Sequence, residues 1–141
     1  MAHPDLDKLL DALLPFAKQT LSKRGAFYPF GATLKMDGDL TMTSVYDGRE
    51  TPPAQEILLA LTDNMRAQAA VSEIAAAGVC VDVRISRPGA STKTDAIHCG
   101  LEHSSGESVD VYVPYRKSWF RGMQYDELFA SVRDPKIFLK A

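Results

Sequence analysis

The chain has 141 residues, a length that suits one domain with a substantial core, and we expect a single α+β domain over residues 1–141. Apolar residues make up 45% and charged residues 24%, as in folded globular proteins rather than disordered chains. The net charge of −2 offers no basic excess for nucleic acid, and no apolar run approaches membrane-spanning length, so we expect neither partner.

The first predicted element is a helix from Pro4 to about Arg24. Pro4 near its start and Gly25 just past its end are typical helix boundaries, and Pro15 is expected to bend the helix without ending it. The start of the sequence, "MAHPDLDKLL", lacks the basic region and apolar core of a secretory signal, which favours a cytoplasmic protein. Its apolar stripe consists of Leu6, Leu9, Leu10, Leu13, Ala17 and Leu21.

A β-hairpin is predicted next, because Asp37-Gly38 lies between two alternating apolar runs. A three-residue loop over 36–38, with Gly38 left-handed, gathers the large apolar side chains on one face. The pairs in that register are Leu34 with Leu40, Ala32 with Met42, and Tyr28 with Tyr46.

A second helix is predicted over residues 52–77, with Thr51 as its N-cap and Gly78 as its end. Its first half carries one apolar stripe, and its second half adds a strip on another side: Ala67, Ala70, Val71 and Ile74. Because the first stripe already suffices to hold the helix on the sheet, the additional strip favours a homodimer. The alternative is a bend near Ala67 that turns the strip toward the chain's own sheet or its C-terminal tail.

Three further strands are predicted at 79–85, 95–103 and 108–114, followed by a short helix and an apolar end that docks on the domain. A loop over 104–106 sets the register of the last two strands through the pairs Leu101 with Val109, Cys99 with Val111 and Ile97 with Val113. The predicted fold is therefore one antiparallel five-stranded sheet with two long helices packed on it. The order of its strands, numbered along the chain, is 2-1-5-4-3, which makes 79–85 an edge strand available to a second copy.

The stretch "DAIHCGLEH" (95–103) resembles a metal site in composition, but strand geometry argues against one. His98 and Cys99 point to opposite faces, while Cys99 and His103 lie roughly 13 Å apart along an extended strand. Cys99 is interpreted as a core residue, and Cys80 is expected to point away from it, both remaining thiols. Phosphate-loop, nucleophile-elbow and calcium-loop patterns are also missing from the sequence, so we expect no metal or cofactor.

One group of residues on the outward face of these strands could support chemistry. If Val83 lies opposite Ile97, then Asp82, His98 and Tyr112 form a row across three strands. Such neighbours could tune the protonation of His98 for acid–base work or ligand binding. The competing interpretation is that a solvated sheet face collects polar residues by chance.

Aromatic and basic residues alternate in "PYRKSWFRGMQY" (114–125), where Tyr115, Arg116 and Trp119 are candidate binding residues. Arginine and aromatic side chains are frequent at interaction hot spots. The alternative is that Trp119 and Phe120 cap the core, with the cations left in solvent.

The segments "FYPFGATLKMDG" and "KTDAIHCGLEHSSGESVDVYVPYRK" resemble a family of small bacterial proteins of unassigned function. The resemblance covers most of the chain and implies no catalytic residues. The order of elements is also similar to the roadblock and profilin-like folds, and type III secretion chaperones have a similar mixture of elements.

These features favour a non-enzymatic protein-binding or adaptor domain, since no activated nucleophile or cofactor loop is apparent. The alternative function is a small-ligand binder or an enzyme that uses Asp82, His98 and Tyr112. The shape of the surface around His98 distinguishes the two functions. A concave site containing His98 favours ligand binding, and a flat open sheet face favours the adaptor.

Overall fold

The structure, a computed structural model, describes residues 3–44, 53–86, 89 and 91–139. It is an α+β fold with two helices and one antiparallel sheet of seven strands. The helices are α1 (Pro4–Arg24) and α2 (Ala54–Ala70). The strands are β1 (Phe30–Lys35), β2 (Leu40–Thr43), β3 (Ile74–Ser86), β4 (Lys93–His103), β5 (Ser108–Ser118), β6 (Gly122–Tyr125) and β7 (Phe129–Val132).

The two helices cover opposite faces of the sheet. Residues of β3 belong to two separate apolar clusters. Ala76 and Cys80 pack with α1, whereas Ala77 and Val79 pack with α2. Successive side chains of a strand point to opposite faces, so the sheet lies between the helices. The α1 side is the larger core, and its helix contributes Leu6, Leu9, Leu13, Ala17 and Leu21, all almost fully buried.

Both predicted hairpin registers are confirmed where the structure describes them. Leu34 pairs with Leu40, and Gly38 has the expected left-handed backbone with φ of 94°. The β4–β5 hairpin pairs Leu101 with Val109, Cys99 with Val111 and Ile97 with Val113. The expected Tyr46 pairing and the Thr51 cap lie outside the described residues.

The second helix ends earlier than its sequence pattern predicts. It stops at Ala70, the chain turns through Ser72 with φ of 58°, and Ile74 begins β3. The run of alanines favours helix locally, but tertiary packing overrides that preference. The surplus strip is therefore not a continuous helix surface, because Ile74 is a buried strand residue beside α2 while Val71 is exposed. The homodimer expected from it loses this structural basis.

The predicted strand order is also wrong, since the observed order is β2-β1-β3-β4-β5-β6, with β7 also paired to β5. β3 pairs with β4 over residues 76–86 but with β1 only over Ile74–Cys80, so its first half is central, while residues 81–86 have no described strand partner on the β1 side. Its small residues suit this position. A Cβ added at Gly78 would lie 2.8 Å from Leu13 Cδ1 and 2.9 Å from Leu101 Cδ2, so glycine permits α1 to approach the sheet.

The C-terminal region forms strands instead of the predicted short helix. β6 pairs with the second half of β5 and β7 with its first half, which raises the strand count from five to seven. These pairings satisfy backbone groups along an edge of β5 that would otherwise be open. The apolar end does dock as predicted, because Ile137 is buried with Ile57 and Leu61 of α2.

The two cysteines face each other, contrary to prediction. Cys80 pairs with Cys99 across β3 and β4, both are buried free thiols, and their Sγ atoms are 3.6 Å apart. Val79 points toward α2, so its neighbour Cys80 points into the α1 core. Burial, followed by the contact with Cys99, raises the pKa of the Cys80 thiol.

Candidate functional site

The predicted row across the sheet forms only in part. His98 pairs with Tyr112 as expected, but it faces Val81 on its other side, and Asp82 pairs with Ile97. A slip of one residue between β3 and β4 moves every side chain to the other face. Asp82 therefore lies on the α1 side of the sheet, away from His98.

Asp82 instead accepts a hydrogen bond from the Tyr115 hydroxyl, with an oxygen–oxygen distance of 2.5 Å. Burial raises the pKa of the Asp82 carboxyl, and the bond from Tyr115 opposes that shift without cancelling it. Burial and the same bond raise the pKa of Tyr115 well above its usual range. Tyr115 is thus a core residue bonded to Asp82 and is separated from the exposed Arg116 and Trp119 with which it was grouped.

Asp110 takes the role that the sequence prediction gave to Asp82. Its Oδ1 lies 2.7 Å from Nε2 of His98, and the His98 ring stacks on Tyr112 with centroids 4.6 Å apart. Tyr112 in turn stacks on Phe129 of β7, at 5.2 Å. A carboxylate on Nε2 assigns the proton of a neutral imidazole to that atom and leaves Nδ1 as the acceptor. His98 is therefore held in one orientation by a carboxylate and a ring face.

Arg133 links this pair to a second, fully buried carboxylate. Its Nη1 donates to Asp110 at 2.8 Å and its Nη2 to Glu102 at 2.6 Å. The guanidinium lies over Gly100, where an added Cβ would be 2.4 Å from Nη1. Gly100 is therefore required for Arg133 to reach both carboxylates, and the four side chains His98, Asp110, Arg133 and Glu102 form one connected network.

Glu102 is fully buried, although strand alternation alone predicts that it faces solvent. Besides Arg133, it accepts hydrogen bonds from the backbone N–H groups of Lys136, Ile137 and Phe138 at 2.8–3.1 Å. Its charge is thus compensated by one cation and three amide dipoles. This carboxylate anchors the C-terminal segment on the same face of the sheet as α2.

A cleft of about 290 Å³ lies between α2 and this face of the sheet, and His98 lines it. The apolar wall comes from helix, strand and C-terminal residues: Leu58, Leu59, Val79, Val81, Val83 and Ile137. The polar wall is formed by Gln55, Thr62, Arg66, His98, Arg133 and Lys136. The described lining contains three permanent cations and no carboxylate. The surface around His98 is therefore concave, which the sequence could not decide.

A second cluster could be considered for a metal ion. His3, Asp5 and His103 place one potential ligand atom each within 4.8 Å of one another. The hydrogen bonds oppose a ready metal site, however, because Nδ1 of His103 accepts from the Ser105 amide while Nε2 lies 3.0 Å from Asp5. A metal-binding histidine normally donates its other N–H, and here that nitrogen is an acceptor. The cluster is better explained as the N-cap of α1, where Nδ1 of His3 accepts from the Asp5 amide.

Sequence reasoning missed Asp110, Glu102 and Arg133 as partners of His98. The alternation of β5 does place Asp110 on the same face as Tyr112, which is a usable signal. Nothing local indicates Arg133, because its position depends on β7 pairing with β5.

Comparison of the chain with protein-family models, with curated proteins and with solved structures gives no match. The family resemblance noted from the sequence therefore stays a prediction. None of the helices in the described part of the chain is long and apolar enough to cross a membrane.

Proposed function

We propose that this chain is a small-ligand-binding domain, with the ligand held in the cleft between α2 and the sheet. The observation that carries the proposal is the position of His98. It lines a concave site of about 290 Å³, and the Asp110–Arg133–Glu102 network fixes its partner carboxylate. Binding sites are commonly clefts with apolar walls and a few fixed polar groups.

The lining favours an organic anion with an apolar body. Leu58, Val81 and Ile137 offer an apolar surface, while the Lys136 ammonium offers donors to an anionic group. Arg133 and Arg66 are already engaged, Arg133 by two carboxylates and Arg66 by the Lys136 carbonyl at 2.6 Å. Arg66 and Arg133 therefore contribute positive charge to the cleft rather than free hydrogen-bond donors, so a ligand with a single carboxylate fits the lining best.

The protein-binding adaptor expected from the sequence becomes the second candidate. A flat sheet face at His98 would favour it, whereas the concave surface around His98 supports ligand binding instead. A binding role is also favoured over a hydrolytic one. The described cleft contains no cysteine or serine, and the Thr62 hydroxyl donates to the Leu58 carbonyl at 2.9 Å.

Phenylacetate and octanoate are suitable probes, with phenylacetamide as the uncharged counterpart of the first. We expect the carboxylates to shift the amide resonances of His98 and Gly100 in ¹H–¹⁵N spectra, and phenylacetamide to shift them much less. Filling the cleft with Val81→Phe, which keeps strand propensity, should abolish the shifts. Lys136→Ala should weaken binding by roughly tenfold, the equivalent of one good hydrogen bond. His98→Ala should weaken it as well, because the His98 ring lines the cleft.

Lys93→Ala is the matched control, because Lys93 is exposed on the same strand and does not line the cleft. It should bind like the unmodified protein. Shifts that survive Val81→Phe, or that map to another surface, would contradict the proposal. Equal responses to phenylacetate and phenylacetamide would refute the anionic ligand class.

A further inference from the structure

The turn between β5 and β6 carries the two most exposed large apolar side chains of the described residues. Trp119 is 92% and Phe120 86% exposed. Their rings contact each other edge to face, with centroids 5.1 Å apart. The two rings therefore do not cap the core. Of the two roles that the sequence allowed, capping the core and binding a partner, binding a partner remains. Exposing two adjacent aromatic rings on a turn costs solubility unless the rings have a partner.

Basic residues flank this pair along the hairpin. Arg116, Lys117 and Arg121 are exposed on the hairpin, and residues 116–124 contain no acidic residue. A Cβ at Gly25 would lie 2.8 Å from Lys117 Nζ, so the C-terminal end of α1, with Lys23 and Arg24 exposed, is adjacent. Two carboxyls, Asp82 and Asp95, line a shallow depression with Lys117. Both lie toward the sheet rather than on the turn.

We infer that the Trp119–Phe120 turn is a peripheral membrane contact that inserts into the interface of a bilayer rich in anionic lipid. Tryptophan and phenylalanine partition into the interfacial region, and flanking lysine and arginine bind anionic headgroups. This departs from the expectation of no membrane partner, which was drawn from the lack of an apolar run of membrane-spanning length.

The shape of the turn favours a lipid surface over a protein partner. A stable protein interface buries about 800 Å² on each side and needs a complementary surface around its anchors. On this turn the exposed aromatic surface is confined to Trp119 and Phe120, which lie on a three-residue tip between the paired residues Ser118 and Gly122. A bilayer needs no complementary shape and can accept a convex tip. The basic charge and the convex shape of the turn therefore both favour an anionic lipid surface.

Trp119 is the chain's single tryptophan, and its fluorescence therefore reports directly on the turn. The full chain is mixed with phosphatidylcholine vesicles that either lack or contain about 30% phosphatidylserine, an anionic lipid. We expect co-sedimentation and a blue shift of Trp119 emission with the anionic vesicles only. Raising the salt to about 0.5 M should reverse both, because it screens the headgroup attraction.

Phe120→Ala keeps the reporter and should lower the partition coefficient by roughly tenfold. Arg116→Gln with Arg121→Gln should lower it similarly and remove the preference for anionic lipid. Val132→Ala is the matched control, since Val132 is 85% exposed on β7, away from the turn. It should leave binding unchanged.

Absence of binding to either vesicle overturns the inference, and so does binding without a blue shift of Trp119. Binding that Phe120→Ala leaves intact overturns it as well. A protein partner whose binding depends on Trp119, with no vesicle binding, would replace the membrane as the occupant of this surface. Circular dichroism of each variant, matching that of the unmodified chain, separates these outcomes from misfolding.

Discussion

Replacing Glu102 by glutamine should destabilise the protein far more than neutralising an exposed carboxylate does. The carboxylate is fully buried and accepts four hydrogen bonds, from Arg133 and from the amides of residues 136–138. Glutamine has the same shape, but only one of its two terminal atoms accepts. Its NH₂ group would face either the Ile137 and Phe138 amides or the Lys136 amide and Arg133.

The magnitude follows from turning the NH₂ group toward two of these four donors and from removing the buried charge that pairs with Arg133. Removing one partner of a buried ion pair typically costs about 3–5 kcal/mol. Because total stabilities are about 5–15 kcal/mol, the variant should be folded but with a clearly lower urea midpoint. Urea unfolding followed by circular dichroism at neutral pH measures this change. Glu127→Gln, at an exposed carboxylate, should change stability by less than about 0.5 kcal/mol.

Two further measurements test the mechanism rather than the size alone. Hydrogen exchange at the amides of Lys136, Ile137 and Phe138 should accelerate in Glu102→Gln, since the carboxylate holds them. Combining Glu102→Gln with Arg133→Gln should cost less than the sum of the single changes, because the two charges compensate each other. A loss below about 1 kcal/mol with unchanged exchange would refute the anchoring role of Glu102.

Gly100→Ala should destabilise the protein by about 1–3 kcal/mol, because its Cβ displaces the guanidinium of Arg133, and in an Arg133→Ala background the same change should be close to neutral in urea unfolding. Burial raises the pKa of the Asp82 carboxyl. Protonation of Asp82 therefore stabilises the fold fully below the ordinary pKa of 3.8, and this stabilisation is lost as the pH rises through the higher pKa of the folded state. Asp82→Asn should therefore be more stable than the unmodified protein at pH 7 and equal to it at pH 3, and equal stabilities at both would contradict the shift. Burial and the bond to Asp82 also raise the pKa of Tyr115, so stability linked to its phenol proton is present below 10.0 and is lost only at higher pH. Below pH 11, the increase in absorbance at 295 nm that reports tyrosine ionisation should therefore be the same in Tyr115→Phe as in the unmodified protein, because Tyr115 stays protonated there.

The residues that sequence reasoning placed correctly belong to elements that depend on nearby residues. α1 begins at Pro4 and ends before Gly25 as predicted, because its apolar period and its boundary residues lie within the element. The two hairpin registers were also predictable, since three-residue loops ending in Gly38 and Gly106 fix which residues face each other. His98 beside Tyr112 followed from one of these local registers.

Only the tertiary structure decided the features that join distant segments. Alanines at 75–77 favour helix in isolation, but they lie in a central strand that both helices approach closely, so packing overrides propensity there. The long connection between β3 and β4 leaves their register open, and one residue of slip replaced Asp82 with Val81 beside His98. Arg133 reaches Asp110 and Glu102 because β7 pairs with β5, a contact between segments that no local pattern encodes. The period of a strand fixes which side chains share a face, whereas the partner across that face depends on long-range pairing, and the site around His98 is built from such pairings.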